Sequence, residues 1–395
     1  MKPSYDTNII NNHIKIIQDA INNKRNLAIF VGAGVSKNSH VPLWSEIINI
    51  FAKELKIKDV SPSNYLKIAQ YYYEMHPYKY NKILKDNLDK NWDINCIAKF
   101  LFKDFAPKYF ITTNYDCILE NTANELKKNN YICVCKNEDI PLIKDNAIIK
   151  MHGDFNNKNI VFKESDYTDY SSKFKLVETF IKSIFATSIV LFIGFSADDP
   201  NVNQIYQWVK DILKENKQPS YLILCDEVKD NKKNKVIKKY LEKKDIYTLN
   251  LHEIKDIVAN FYIANPPNQD FNSDLEKLHD VRGKELYKML YFIKNYNVDP
   301  ISTLNTKINI IKIFNYINFD QICSYLFNDD FARYDSLKRK ILLYSTKQRS
   351  LINTLAQSNN DAKFKEFKEF LLCNNVDTIE YRMGNDVLEV KIENI

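Results

Sequence analysis

The sequence predicts an α/β fold: a parallel sheet with helices on both faces, followed by a smaller, mostly helical C-terminal domain that ends in a β-hairpin. Three observations predict it. Short apolar runs recur through the first two-thirds of the chain, and helical segments separate most of them. That alternation builds parallel sheets covered on both faces. Glycine is nearly avoided, and of the six present Gly32, Gly34, Gly153 and Gly194 fall just after apolar runs. Glycine is kept where the backbone needs positive φ or a close approach, and open α/β sheets build ligand sites at the carboxyl ends of their strands. Finally, the polar, proline-containing stretch 265–273 separates this pattern from a helical one beyond it, which divides the chain into domains of residues 1–265 and 270–395.

The elements follow in order. Ile9, Ile10, Ile14, Ile17 and Ile21 recur at helical spacing, so residues 8–23 read as an amphipathic helix. Leu27-Ala28-Ile29-Phe30-Val31 is a short buried strand that ends in Gly32-Ala33-Gly34-Val35-Ser36. Pro42-Leu43-Trp44 opens a second helix. Residues 61–105 read as helical, and their tyrosines, including Tyr71, Tyr72, Tyr73, Tyr78 and Tyr80, read as packing residues and not as a base-stacking platform. Strand character returns at Tyr109–Thr112, Ala147–Met151, Ile189–Ile193, Tyr221–Leu224 and Ile246–Leu249. Beyond the linker the pattern is helical to about Cys373, and alternation on both sides of Gly384-Asn385 predicts the closing hairpin.

Composition excludes several function classes. No apolar run approaches the ~20 residues of a membrane helix, and the N-terminus lacks a secretory pattern, so the expected compartment is the cytoplasm. Seven cysteines without regular spacing do not form a disulfide framework. Cys133 and Cys135 read as alternate residues of a strand. The net charge of +6 arises within residues 1–265, since 18 basic residues balance 18 acidic ones beyond them. So diffuse a surplus is no nucleic-acid patch.

Gly32-Ala33-Gly34 between a strand and a helix allows a tight turn and a close approach to a diphosphate. The usual dinucleotide fingerprint wants a third glycine where Lys37 stands, so the same residues also fit a plain structural turn. His152 follows a strand and precedes a rare glycine, a context that favours chemistry over packing. Asn114 could cap the next helix, and Asp116 could simply stabilise its first turn.

Together, Gly32-Ala33-Gly34-Val35-Ser36, Thr112-Thr113-Asn114-Tyr115-Asp116, His152-Gly153 and Gly194-Phe195-Ser196 occur in the order and context of the sirtuin domain. The chain resembles that family over about residues 8–260. The resemblance implies a Rossmann-like sheet that binds NAD⁺. It places Gly32, Ala33, Gly34 and Ser36 at the cofactor phosphates and nearby ribose. Asn114 and Asp116 would line the nicotinamide-ribose pocket, and His152 would be the base facing the ribose hydroxyls. Gly194 and Ser196 would hold the adenosine side, with Asp226 a looser candidate for its ribose. These residue types suit the chemistry. The nicotinamide ring is already cationic in NAD⁺, so it leaves as a neutral molecule without a general acid, through an oxocarbenium-like transition state. An amide can orient water, and histidine suits proton removal near neutral pH.

Two departures from the family shape the expected activity. Protein-deacylating members carry two Cys-x-x-Cys pairs for a structural zinc between the His-Gly and Gly-x-Ser motifs, and residues 154–193 hold no cysteine. Thr113 also stands where deacylases usually have Gln. The strings Val161–Tyr167 and Gly194–Pro200 instead resemble the zinc-free branch found in bacterial anti-phage defence. The expectation is an NAD⁺ hydrolase that releases nicotinamide and ADP-ribose, with Asn114 and His152 catalytic. A deacylase and a non-catalytic NAD⁺ or ADP-ribose sensor are the alternatives. The C-terminal domain is expected to serve homo-oligomerisation or docking of a partner such as a HerA-type ATPase, under a phage-derived trigger.

Overall fold

The computed structural model describes residues 7–22, 26–195, 218–225, 238–243, 246–296, 333–335, 340–343, 378–383 and 386–391. Seven strands form one wholly parallel sheet: β1 Leu27–Val31, β2 Tyr109–Thr112, β3 Tyr131–Val134, β4 Asn146–Lys150, β5 Ile189–Ile193, β6 Ser220–Leu224 and β7 Ile246–Asn250. Their spatial order is β3-β4-β2-β1-β5-β6-β7. The chain therefore builds outward from β1 on one side, then returns to add β5 to its other edge. In register, Leu27 faces Ile189 and Ala28 faces Tyr109. β1 and β5 are buried along their whole length, which is why they read as unbroken apolar runs and not as alternating ones. This is the Rossmann-like arrangement, and it puts a topological switch point at the carboxyl end of β1.

Helices cover both faces. Alternate strand residues Phe30, Ile111 and Phe192 pack with Val177, Ile181 and Phe185 of α10 (Lys175–Thr187). The opposite pleat presents Phe110 to Phe102 at a ring distance of 4.3 Å and Tyr221 to His13 of α1 (Thr7–Asn22) at 5.4 Å. Helix α1 buries Ile10, Ile14, Ile17 and Ala20, the stripe that helical spacing dictates. The segment after β1 forms a four-residue α2 (Ala33–Ser36), then α3 (Trp44–Leu55), whose Glu46 carboxylate accepts from the Leu43 amide at 2.6 Å. Helices α4 (Tyr65–Met75), α5 (Pro77–Leu88) and α6 (Cys96–Phe100) follow. Tyr72 and Tyr80 are buried against Phe51, at 4.4 and 5.4 Å between rings, so these two tyrosines are core. Helix α7 (Ile118–Glu125) follows β2, and α8 (Glu164–Thr168) and α9 (Tyr170–Lys173) precede α10.

After β7 comes α11 (Lys255–Ala264), then α12 (Gln269–Lys277) and α13 (Val281–Asn295). The stretch read as a linker thus runs directly into a helix. Asn268 caps it by accepting from the Phe271 amide at 2.9 Å, and Phe271 is buried, so the polar signal there is partly a helix N-cap. The chain divides into two compact units, residues 1–258 with 267–295, and residues 259–266 with 296–395. Helices α12 and α13 belong to the first. Phe100 meets Tyr287 at 5.3 Å, and Gln18 donates to the Ile293 carbonyl at 2.8 Å.

In the second unit, β8 (Arg333–Asp335), β9 (Lys340–Leu343), β10 (Thr378–Met383) and β11 (Asp386–Lys391) form a sheet ordered β11-β10-β9-β8. β10 and β11 pair antiparallel with Met383 opposite Asp386, the expected hairpin. β9 joins β10 in parallel. The sequence reading did not find β8 and β9, because strands of three and four residues carry too few positions to show a period of two. The remaining segments read as helical beyond residue 296 lie outside the described residues.

Candidate active site

The loops that follow β1, β2, β4 and β5 meet at the switch point. Three glycines interlock the first and last of them. The Gly32 amide donates to the Ile193 carbonyl at 2.8 Å, and the Gly34 amide to the Gly194 carbonyl at 3.0 Å. Gly194 has φ +80°, and a Cβ there would lie 2.8 Å from the Val35 nitrogen. No other residue fits that conformation and that gap. Both amides of the Gly-x-Gly pair are therefore engaged by the β5 loop, so these glycines act as scaffold, while Ala33 and Ser36 face the cleft beside them.

The loop after β2 is held by a relay of hydroxyls and amides. Thr112 Oγ1 donates to the Val31 carbonyl at 2.8 Å and accepts from the Asn114 amide at 3.0 Å. Asn114 Nδ2 then donates to the Gly32 carbonyl at 3.1 Å and to Ser36 Oγ at 2.8 Å. With its NH₂ group committed, the orientation of its carboxamide is fixed and its oxygen is the end that can serve a ligand. Asp116 Oδ1 accepts from the Ile118 amide at 3.1 Å, so it does help start α7. Its Oδ2 is buried without a hydrogen-bond partner among the described residues. Burial pushes this carboxyl above the usual range, with the Ser36 hydroxyl opposing the shift.

His152 follows β4 and is buried, with ring contacts to Tyr167 and Tyr170 at 5.3 and 6.3 Å. Burial pushes its imidazole down to about 3, against the pull of Asp166. The ring is therefore neutral at pH 7. Its chain turns sharply at Gly153, with φ +69° and Asn159 packed where a Cβ would stand. The Tyr115 hydroxyl donates to the Val161 carbonyl at 2.6 Å and so ties the β2 loop to the segment after β4.

Ala33, Ser36, Asn114, Asp116 and His152 together line one cleft. Gly32, Gly34 and Gly194 are not among the residues that line it. Ser196 and Asp226 lie outside the described residues. Much of the remaining lining is apolar or aromatic, with Val41, Trp44, Ile47, Leu88, Phe162 and Tyr167. Sequence reasoning did not assign Trp44 or Tyr167 to the site. Tyr167 lay within the string Val161–Tyr167, but nothing in its type marks it as cleft-lining. An apolar lining with a few convergent polar groups suits a small-molecule ligand.

Residues 108–249 match the SIR2-like domain family. The chain is 31% identical over 229 residues to Defense-associated sirtuin 2 of Bacillus subtilis, which covers 55% of this chain and 22% of that protein. It is 28% identical over 306 residues to the NAD(+) hydrolase ThsA of Enterococcus faecium, covering 72% of this chain and 61% of that one. A second NAD(+) hydrolase ThsA, from Bacillus cereus, is 27% identical over 254 residues. The chain thus spans from about a fifth to three fifths of the length of these relatives. A solved sirtuin structure aligns over 62% of this chain with TM-score 0.34 and 12% identity. The match to the SIR2-like domain family takes in strands β2 to β7 of the parallel sheet and the loops that carry Asn114 and His152.

Proposed function

We propose that this chain is an NAD⁺ hydrolase that acts as the effector of an anti-phage defence system, with Asn114 and His152 at the reaction centre. The carrying observation is that a fixed carboxamide and a buried neutral imidazole share one cleft at the switch point of a parallel sheet. The names of the relatives supply the substrate class. In this reading the C1′–N bond breaks, nicotinamide leaves with the bonding pair, and a water oxygen bonds to C1′. The water is oriented by Asn114 Oδ1 and its proton passes by way of His152 to solvent. A depressed pKa makes His152 a weak base, and the negative pyrophosphate of a bound dinucleotide would draw it back up. Ser36 and Asp116 would hold ribose hydroxyls beside them, and Ala33 the phosphates. Gly194, Ser196 and Asp226 belong to the proposed adenosine side.

Of the C-terminal segment 270–395, we assign to the part beyond the first unit, residues 296–395, a role in homo-oligomerisation or partner docking, a HerA-type ATPase being one candidate, with a phage-derived trigger and a cytoplasmic setting. Among the described residues no helix is long and apolar enough to cross a membrane. The test is direct. The full chain is incubated with NAD⁺, with and without extract from infected cells, and nicotinamide is quantified. Release is expected without any acyl-lysine peptide, and Asn114→Ala or His152→Ala should slow it about 100-fold or more. Wild-type rates in both variants would overturn the site, and turnover only with an acylated peptide would overturn the reaction.

A further inference from the structure

We propose that Lys150 is a positioning residue that sets the spacing between the two halves of the site, by tying the β2 loop that carries Asn114 and Asp116 to the strand end that carries His152. Only the kinetic consequence rests on the hydrolase reading.

Lys150 is the last residue of β4 and is fully buried. A buried ammonium costs several kcal/mol unless its protons are all bonded. Lysine has three donors, and three acceptors meet them: the Tyr115 carbonyl at 3.1 Å, the Asp116 carbonyl at 2.8 Å and Glu120 Oε1 at 2.9 Å. The Cys117 sulfur lies 3.9 Å away. Burial works against the charge, but Glu120 foremost outweighs it and holds the pKa above the ordinary lysine range. The ammonium therefore stays charged and bonded.

The placement of these acceptors gives the role. Two are backbone carbonyls of the loop between Asn114 and α7, and the third is in the first turn of α7. The base of the lysine is two residues from His152, and the Met151 amide donates to the Thr112 carbonyl at 3.0 Å beside it. One cation thus spans from the His152 strand end to the far side of the Asn114 loop, while Thr112 and Ser36 hold the near side. Two of its three bonds therefore hold the backbone of residues 115 and 116 itself, next to the residues that carry Asn114 and Asp116.

The test uses the full chain with the double substitution Lys150→Met/Glu120→Gln, which removes the ammonium without leaving a buried carboxylate alone. Amide exchange in the peptide spanning 113–118 should speed up about tenfold, while β1 and β5 keep wild-type protection. In NAD⁺ turnover, kcat should fall about 100-fold, the cost of displacing a catalytic group by about 1 Å. KM should change less than about threefold. ADP-ribose titrated by calorimetry should still bind near one equivalent, so that the lost kcat is not lost fold. Unchanged exchange at 113–118, a speed-up spread over the whole sheet, or a kcat near wild type would each overturn the proposal. If the wild type releases no nicotinamide, the hydrolase reading fails and the exchange result alone decides the role of Lys150.

Discussion

At the scale of single residues, the side chains that face the cleft are set by their neighbours before any ligand enters. Asn114 is oriented from two sides, and His152 is kept neutral by burial. The second point has a pH consequence. The imidazole titrates near 6.5 in the unfolded chain and at about 3 in the fold. Between those values the unfolded chain binds the extra proton, so stability is present above about pH 6.5 and falls as the pH drops toward 3, by up to about 1.4 kcal/mol per unit. Urea unfolding at pH 7 and pH 5 should show a larger loss in the wild type than in His152→Gln. Equal losses in both proteins would place the acid sensitivity elsewhere. Asp116 shifts in the opposite direction from most salt-bridged carboxylates, because burial and not a cation dominates its surroundings.

At the scale of elements, the strand-end loops are the working parts, and the interlock of Gly32 and Gly34 with Gly194 is what brings two of them together. Gly194→Ala places a Cβ against the Val35 nitrogen in a left-handed conformation. It should cost about 2 kcal/mol of stability, read as a lower urea midpoint, and an unchanged midpoint would show that the two loops can separate freely. The strands were legible in the sequence because a parallel sheet buried on both faces leaves unbroken apolar runs such as Leu27–Val31 and Ile189–Ile193. β3 was legible only through the alternation of Cys133 and Cys135, because of its four residues Val134 alone is buried and the other three are half-buried. Asn114, Asp116 and His152 were legible because each follows such a run in a recognisable motif. Lys150 was not, since a lysine at the end of a strand reads as a solvent-facing residue. Only the fold shows that the carbonyls of residues 115 and 116 lie within its reach.

At the scale of the whole molecule, the first compact unit reaches further along the chain than composition suggests. Amphipathic spacing identifies α13 as a helix but does not say which neighbour receives its apolar face. That face buries Leu286, Tyr287, Met289, Leu290, Phe292 and Ile293, and just before it Asp280 pairs with Lys37 at 2.9 Å, beside α2. A chain cut after Tyr296 should keep a cooperative melt of the first unit. One cut after Asn265 lacks α12 and α13 and should lose more than about 5 kcal/mol from the apolar surface they leave uncovered, seen as insolubility or a much lower midpoint. Equal melts would return the boundary to the polar stretch at 265–273.

The strand order has one further consequence, for synthesis. β1 sits at the centre of the sheet, yet its partners are Tyr109–Thr112 and Ile189–Ile193. A ribosome adding about 5–20 residues per second needs on the order of ten seconds to move from β1 to β5. For that interval Leu-Ala-Ile-Phe-Val is made but has an open edge, a five-residue apolar segment without charge or proline. The strand that organises the site is therefore also the one most exposed to wrong pairing while the chain is being made.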